Sequence, residues 1–467
     1  MKKQIRILVV FALVILVANS STAQASQPNQ ADLTSASGIS SVFPLNRWST
    51  DYIQTSGDTG SNVSIAFDDD HNQNPWISYF NGTYGSLWVA HYVGLFGGNC
   101  GPSNTWFCEE VDWVGGQTKG WFTSIDIFPD INPDPAHSTW QVGVSYYDYS
   151  NRSLKYAVYK CPLEDYRYWT VSTVDSPLDE YGNNGKYTSL KYDSTGTPHI
   201  AHVNYKWDPD WYYIMHASLL VGGHGNCGDS TDWQCEIVDW TMSIFGLYYP
   251  SLDIDWNDNI YIAYYDQGGP NYLMYAYYSG ASWTGIVVDE QVGSNVGLFP
   301  SIHAPIDNND YLRIAYYDTT NGRLKYATGP WASGNCGPSS TWLCSYIDDM
   351  GVGLNWASIS LALDGNHNPV IAYTDASVDV APLGLKLATP ASGPPYGTCD
   401  GEFPDWWCGT VDYGNQYVND GKYASLGIKA NGLAMIAYSE QEREYPGEYD
   451  LKFAYQMSWI FLPVTMK

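Results

Sequence analysis

The stretch IAYYDTTNGRLKYATGPWASGNCGPSSTWLCSYID, residues 314–348, holds three short apolar or aromatic runs, IAYYD, LKYA and the segment from Trp342 to Asp348. Runs of that length and composition, bounded by Gly, Asn, Pro and Ser, read as β-strands joined by turns. Working outward, IAYYD recurs as VSYYD at 144–148, IAYYD at 262–266 and IAYTD at 371–375. LKYA recurs at 154–157, as LMYA at 273–276, LKLA at 385–388 and LKFA at 451–454. A further piece precedes IAYYD, seen as YTSLKYD at 187–193, PSLDID at 250–255, PSIHAPID at 300–307 and ASISLALD at 357–364.

The last residue of the IAYYD piece falls at Asn81, Asp148, Asn204, Asp266, Asp318, Asp375 and Glu440. That is seven occurrences, a period of roughly 60 residues typical of repeat architectures. The Trp-to-Asp piece occurs only six times, as Trp106/Asp112, Trp169/Asp175, Trp233/Asp239, Trp283/Asp289, Trp342/Asp348 and Trp406/Asp412. RWSTDYIQ at 47–54 supplies the seventh, with Trp48 and Ile53 in pattern and Gln54 in place of Asp. The expected fold is all-β: a seven-bladed β-propeller, four antiparallel strands per blade, with the N-terminal strand completing the last blade. Two separate β-sandwiches would leave that displaced strand unexplained.

Residues 1–25 join Lys2, Lys3 and Arg6 to an apolar run, Ile7 to Ala18, and end in Ala23 and Ala25 at A-x-A spacing. This is the pattern of a secretory signal peptide, its apolar run too short to span a bilayer. The expected organisation is a signal peptide at 1–25, a flexible segment at 26–45, the propeller at 46–457 and a tail at 458–467. The expected location is secreted or cell-surface, with no stable membrane span after cleavage.

With 49 acidic against 21 basic residues the net charge is −28, which disfavours nucleic acid and favours cations or basic partners. Aromatic residues reach 16%, with 20 Trp and 40 Tyr, far from a disordered composition.

Nine cysteines fit an exported chain with disulfides Cys100–Cys108, Cys227–Cys235, Cys336–Cys344 and Cys399–Cys408, each closing the hairpin before a fourth strand. Cys161 is left unpaired. Zinc is disfavoured by the absence of C-x-x-C spacing. The repeated Trp is expected to pack rather than to stack on sugars. The repeated Asp residues are expected to cap loop amides, while their gathering on one face would attract Ca²⁺ as the candidate cofactor.

Function is expected where the repeat breaks. YKWDPDWYYIMH at 205–216 offers Trp207, Asp208, Asp210 and Trp211, and SEQEREYPGEYD at 439–450 offers Glu442, Arg443 and Tyr445 as ligand-binding candidates. His202 stands where sister blades have Tyr264 and Tyr316, which points to packing. No nucleophile elbow, zinc-protease motif, P-loop or dinucleotide fingerprint occurs, and no catalytic residue is assigned. For glycoside hydrolysis two carboxylates are needed, with Asp68, Asp193, Asp253, Asp255 and Asp364 as axial donors.

The repeats resemble those of uncharacterised secreted bacterial seven-bladed β-propeller proteins, whose blades read S-L-x-x-D, I-A-Y-Y-D, L-K-Y-A and W-x(5)-D. The resemblance covers 46–456 and implies architecture more than activity. The expected function is a non-enzymatic binding or scaffold propeller recognising extracellular carbohydrate or protein. The alternative is a carbohydrate-active enzyme, a glycoside hydrolase or lyase with an axial carboxylate site.

Overall fold

The computed structural model describes residues 48–457, except 69–72, 130–140, 161–167, 221, 270, 292, 355–356, 377–382, 392–397, 402–405, 416 and 443–446. It contains seven four-stranded antiparallel sheets. Blade 1 runs Thr59–Phe67, Pro75–Asn81, Ser86–Tyr92, Trp106–Asp112, and blade 2 runs Lys119–Phe128, Gln141–Asp148, Ser153–Lys160, Tyr168–Asp175. Blade 3 comprises Gly182–Tyr192, Pro198–Trp207, Asp210–Leu219 and Trp233–Thr241; blade 4 comprises Leu247–Ile254, Ile260–Asp266, Tyr272–Tyr278 and Trp283–Asp289. Blade 5 has Val296–His303, Leu312–Asp318, Arg323–Gly329 and Leu343–Asp349, and blade 6 has Ile359–Leu363, Pro369–Asp375, Gly384–Pro390 and Trp406–Tyr413.

Blade 7 takes three strands from the end of the chain, Val418–Ile428, Ala434–Glu442 and Tyr449–Gln456, and its fourth, Trp48–Gln54, from the beginning. Trp48 pairs with Gln456 and Tyr52 with Lys452. The expected propeller and its closure are both present.

Each first strand touches the first strands of the blades on either side, blade 7 touching blade 1, so these strands line the axis. The apolar core is correspondingly divided. Seven clusters of buried residues each lie between two neighbouring blades, such as Ala263, Leu273 and Val288 of blade 4 against Ile302, Ile314 and Tyr316 of blade 5.

Two rings of hydrogen bonds register the blades. Around the axis Ser64, Ser124, Ser189, Ser251, Ser301, Ser360 and Ser425 each accept, through Oγ, a backbone N–H of the next blade at 2.9–3.1 Å. Farther out, the first Tyr of the IAYYD piece donates its hydroxyl to the Asp ending the previous blade's fourth strand. Tyr146, Tyr264, Tyr316, Tyr373 and Tyr438 reach Asp112, Asp239, Asp289, Asp348 and Asp412 at 2.5–2.6 Å. Tyr79 donates to Gln54, and His202, fully buried, approaches Asp175 through Nε2 at 3.2 Å. Burial, reinforced by the carboxylate each one faces, raises Tyr146, Tyr264 and Tyr316 well above the ordinary phenol range.

These fourth-strand aspartates are therefore held between blades by a neighbour's side chain. Asp239, Asp348 and Asp412 also hold a backbone N–H, of Trp240, Asp400 and Tyr413 at 2.8–2.9 Å, as the capping expectation has it, and the aspartates do not form a bare acidic face. Among second-strand acids the capping expectation holds too: Asp148 and Asp318 accept the backbone N–H of Asn151 and Asn321, both at 3.0 Å.

All four expected disulfides form, with Cα–Cα separations of 4.9–6.0 Å. Cys161 lies outside the described residues. In the GNCG hairpins, Asn99, Asn226 and Asn335 each hold the second cysteine's backbone N–H and carbonyl through one amide side chain. Gly98 is obligatory there, because a Cβ would lie 1.8 Å from the Trp106 carbonyl oxygen.

Candidate binding face and axial pocket

The second and fourth strands end on one face of the ring, called the upper face here, and the disulfide hairpins lie on the other. Near the upper end of the first strand in six blades, two residues before the axial serine, the chain bulges. In six blades that residue has a left-handed backbone although it is not glycine: Asn62, Phe122, Tyr187, Tyr249, Phe299 and Tyr423, with φ of 51–56°. Bulky residues rarely take this conformation. Here the closed serine ring holds the following residues in register and turns these side chains toward the axis.

They line an axial cavity of about 260 Å³. Its wall is uneven. Phe122, Tyr187, Tyr249 and Phe299 form an arc with successive ring centroids 4.4, 4.6 and 4.5 Å apart. Asn62 and Ser358 lie elsewhere on the wall. An aromatic wall with a few polar groups is the usual construction of a small-molecule site.

The insertion in blade 3 continues this arc outward. Its strands extend to a tip at Trp207 and Asp210, which face one another. From Trp207 the rings pass to Tyr205 (6.4 Å), Tyr212 (4.4 Å), Tyr248 (5.3 Å) and Tyr187 (6.3 Å). Trp207 is 43% exposed and lies beneath the Arg152 guanidinium, 5.7 Å from its ring. Asp210 accepts the Tyr205 hydroxyl at 2.7 Å. Burial and then this bond raise the Tyr205 pKa, keeping the hydroxyl a donor at neutral pH.

The candidate residues do not form one site. Trp207, Asp210, Tyr205 and Tyr212 share one face of the blade 3 hairpin. Trp211 is on the other, stacked on Trp240 at 5.0 Å. Asp208 is exposed in the turn between them. Glu442, exposed at the end of the second strand of blade 7, belongs to the far side of the ring. Arg443 and Tyr445 lie outside the described residues.

The axial carboxylates also differ from expectation. Asp68, Asp193, Asp255 and Asp364 sit just after first strands and hold amides of the following turn, as Asp255 does with Asn257 and Asn259 at 2.9 Å. Their side chains are spent on turns, so they are not axial donors. Asp253 of that group is instead within a first strand and accepts the N–H of Ala304 of the next blade at 2.8 Å. Its counterpart, Asp126, accepts the N–H of Tyr192 at 2.8 Å, and burial raises its pKa. Lys191 reaches Asp253 at 3.9 Å, and His303 lies 3.6 Å from it.

Sequence reading missed the aromatic arc because it is carried by the residue that varies, Asn, Phe, Tyr or Ser, two places before the serine. The serine itself recurs before Leu or Ile in every first strand and was the available signal.

Asp289 and Asp348 lie near the cysteines of the next blade, but those sulfurs are bonded to one another and have no thiolate to offer a metal.

No protein-family model matches the chain, and no curated protein matches it. Among solved structures the chain is similar to the BP39L lectin from Burkholderia pseudomallei, at 13% identity and a TM-score of 0.48, over 83% of this chain and 96% of the lectin. It is also similar to a protein of unknown function from Dyadobacter fermentans, at 7% identity and a TM-score of 0.46, over 88% of this chain and 99% of that one. The NanB sialidase from Streptococcus pneumoniae aligns at 12% identity and a TM-score of 0.42, over 87% and 70%. Likenesses of this degree carry no statement about ligand or chemistry.

Proposed function

We propose that this is an extracellular glycan-binding propeller whose ligand lies along the upper face, from Trp207 to the axial pocket. The observation that carries the reading is the unbroken run of rings, Trp207–Tyr205–Tyr212–Tyr248–Tyr187–Tyr249–Phe299. Sugars present apolar C–H faces that stack on such rings, and the phenol hydroxyls and Asp210 supply hydrogen bonds for their edges. Four disulfides fit maturation in an oxidising compartment. Among the described residues no helix is long and apolar enough to cross a membrane.

The test is a glycan array and a polysaccharide pull-down. Trp207→Ala should weaken binding by about two- to tenfold, the scale of one aromatic contact of about 0.5–1.5 kcal/mol. Trp240→Ala, on the other face of the hairpin, should leave binding unchanged. Equal loss in both variants, or binding to proteins but to no glycan, would remove this reading.

The enzymatic alternative rests on Asp126 and Asp253. It predicts release of cleaved sugar that Asp253→Asn abolishes. Both carboxylates already hold a neighbouring blade's backbone, a structural role, which favours binding over hydrolysis.

A further inference from the structure

The seam where the ring closes holds a second cavity. It lies on the lower face, between blade 7 and the disulfide hairpin of blade 1, and measures about 450 Å³. Its wall includes Tyr92, Trp106, Met435, Phe453 and Tyr455, together with the carboxylate of Asp51. The rings are linked to one another: Tyr92 meets Trp106 at 5.7 Å, Trp106 meets Phe453 at 5.0 Å, and Phe453 stacks on Tyr455 at 5.9 Å. At the junction of blades 4 and 5 the counterparts of Asp51 and Met435 are Ile286 and Tyr261, and both pack against the cluster that holds Trp342. The seam has an acid and an unbranched side chain in those places.

Asp51 occupies a register position with a recurring use. It follows the tryptophan of its fourth strand by three residues, as Glu109 and Glu236 follow Trp106 and Trp233. Those two glutamates accept the indole N–H of the next blade's tryptophan, Trp169 at 2.9 Å and Trp283 at 3.3 Å. At the seam the next blade's tryptophan is Trp106, which is buried edge-on against Phe453. Among the described residues nothing bonds or pairs with the Asp51 side chain, and burial raises its pKa. The seam keeps the acceptor, and the indole donor must come from elsewhere in the chain.

The chain leaves its last strand beside this pocket. Tyr455 and Met435, both on the wall, face one another across the third and second strands of blade 7. Met457, two residues on, is 43% exposed. Next comes SWIFLPVTMK, residues 458–467, with four large apolar residues in a row from Trp459 to Leu462. Burying such a run is favourable. Trp459 is four residues past Tyr455, so its Cα lies within about 14 Å of the pocket wall. Residues 26–45 precede the strand that starts at the same end of the sheet, but they are rich in Ser and hold no tryptophan.

We propose that residues 458–467 occupy the seam pocket, with the Trp459 indole N–H donated to Asp51 as Trp169 and Trp283 donate to Glu109 and Glu236. The segment then clasps blade 7 to blade 1 on the lower face, a second closure beside the strand Trp48–Gln54. The pocket is on the opposite face from the glycan path, and the inference does not depend on that reading.

The test uses the full chain and follows chymotrypsin cleavage after Phe461 by mass spectrometry, with a free peptide of residues 458–467 as reference. Wild type should be cut about a hundredfold more slowly than the peptide, because a docked segment is cleaved only when it opens. Trp459→Phe keeps a ring, loses the N–H and alters no described strand. It should speed cleavage about tenfold, the scale of a hydrogen bond to a charged acceptor. Asp51→Ala should do the same, and the double variant should exceed neither, because both remove one bond. A chain lacking residues 26–45 should match wild type. The proposal is overturned if wild type is cut as fast as the peptide, if neither substitution speeds cleavage or their effects add, or if loss of 26–45 removes the protection.

Discussion

Blades 1, 3, 5 and 6 carry a disulfide hairpin, and blades 2, 4 and 7 do not; the same tryptophan behaves differently in the two groups. In the disulfide blades Trp106, Trp233, Trp342 and Trp406 are buried, 1–8% exposed. Each meets an aromatic residue of the preceding blade edge-on, Phe453, Tyr156, Tyr275 or Tyr326, at 5.0–5.4 Å. In the others Trp169, Trp283 and Trp48 are only half-buried. Two of these donate their indole N–H instead to a glutamate directly after the preceding blade's second cysteine. Trp169 reaches Glu109 at 2.9 Å and Trp283 reaches Glu236 at 3.3 Å. Blade 6 has Gly409 at that place, and Trp48 Nε1 is buried without a partner. Hairpin, disulfide and buried indole thus form one unit, and in two of the three blades without that disulfide a charged acceptor holds the ring.

This contrast can be broken most decisively at the indoles. Trp342→Ala should cost about 3–5 kcal/mol, the range for emptying a buried aromatic site, and Trp283→Ala about half as much. Equilibrium denaturation compares the two, and equal costs would show that the hairpin adds nothing to the packing. Replacing Cys336 and Cys344 together by serine should cost about 2–3 kcal/mol by the chain-entropy estimate for a small ring. The loss should be absent when wild type and variant are compared under full reduction.

The blade 3–blade 4 boundary adds a pH dependence. His199 Nδ1 and His216 Nε2 are 2.9 Å apart, with Asp193 at 3.3 Å from one ring and Glu236 at 3.7 Å from the other. Burial, helped by the His216 charge, lowers His199 to about 4, and burial lowers His216 too. The unfolded chain therefore binds protons below about pH 6.5 that the native state refuses. The contribution of this histidine pair to stability should be constant above that pH and fall between about 6.5 and 4, by at most about 1.4 kcal/mol per pH unit for each histidine. His199→Phe should flatten that slope in urea titrations across the range.

The smallest effects concern the glutamates. Glu236→Ala should cost about 1 kcal/mol through the lost Trp283 bond. Gly409→Glu should stabilise by up to about 1 kcal/mol by giving Trp48 an acceptor. A destabilising Gly409→Glu would show that blade 7 seats its indole in a different way.

The recurrence of IAYYD, LKYA and Trp-to-Asp was sufficient for strand count, blade number, the borrowed N-terminal strand and the four cysteine pairs. These follow from alternation and from contacts within one repeat, such as the separation of eight or nine positions between paired cysteines. What joins one blade to the next was not legible in the same way. The serine ring links residues 51–66 positions apart, or 360 at the closure. Position alone does not say whether an aspartate at a strand end caps a turn, as Asp318 does, or takes a neighbour's tyrosine, as Asp289 does.

The candidate site shows the same division. Trp207 and Asp210 could be singled out because they interrupt the repeat, whereas the aromatic arc beneath them exists only once bulged first strands from separate blades converge. Amino-acid order by itself determined the repeating unit, because strand periodicity and turn chemistry are local. Only the closed ring decided which tryptophans are buried and where the pocket opens, because those depend on side chains brought together from separate blades.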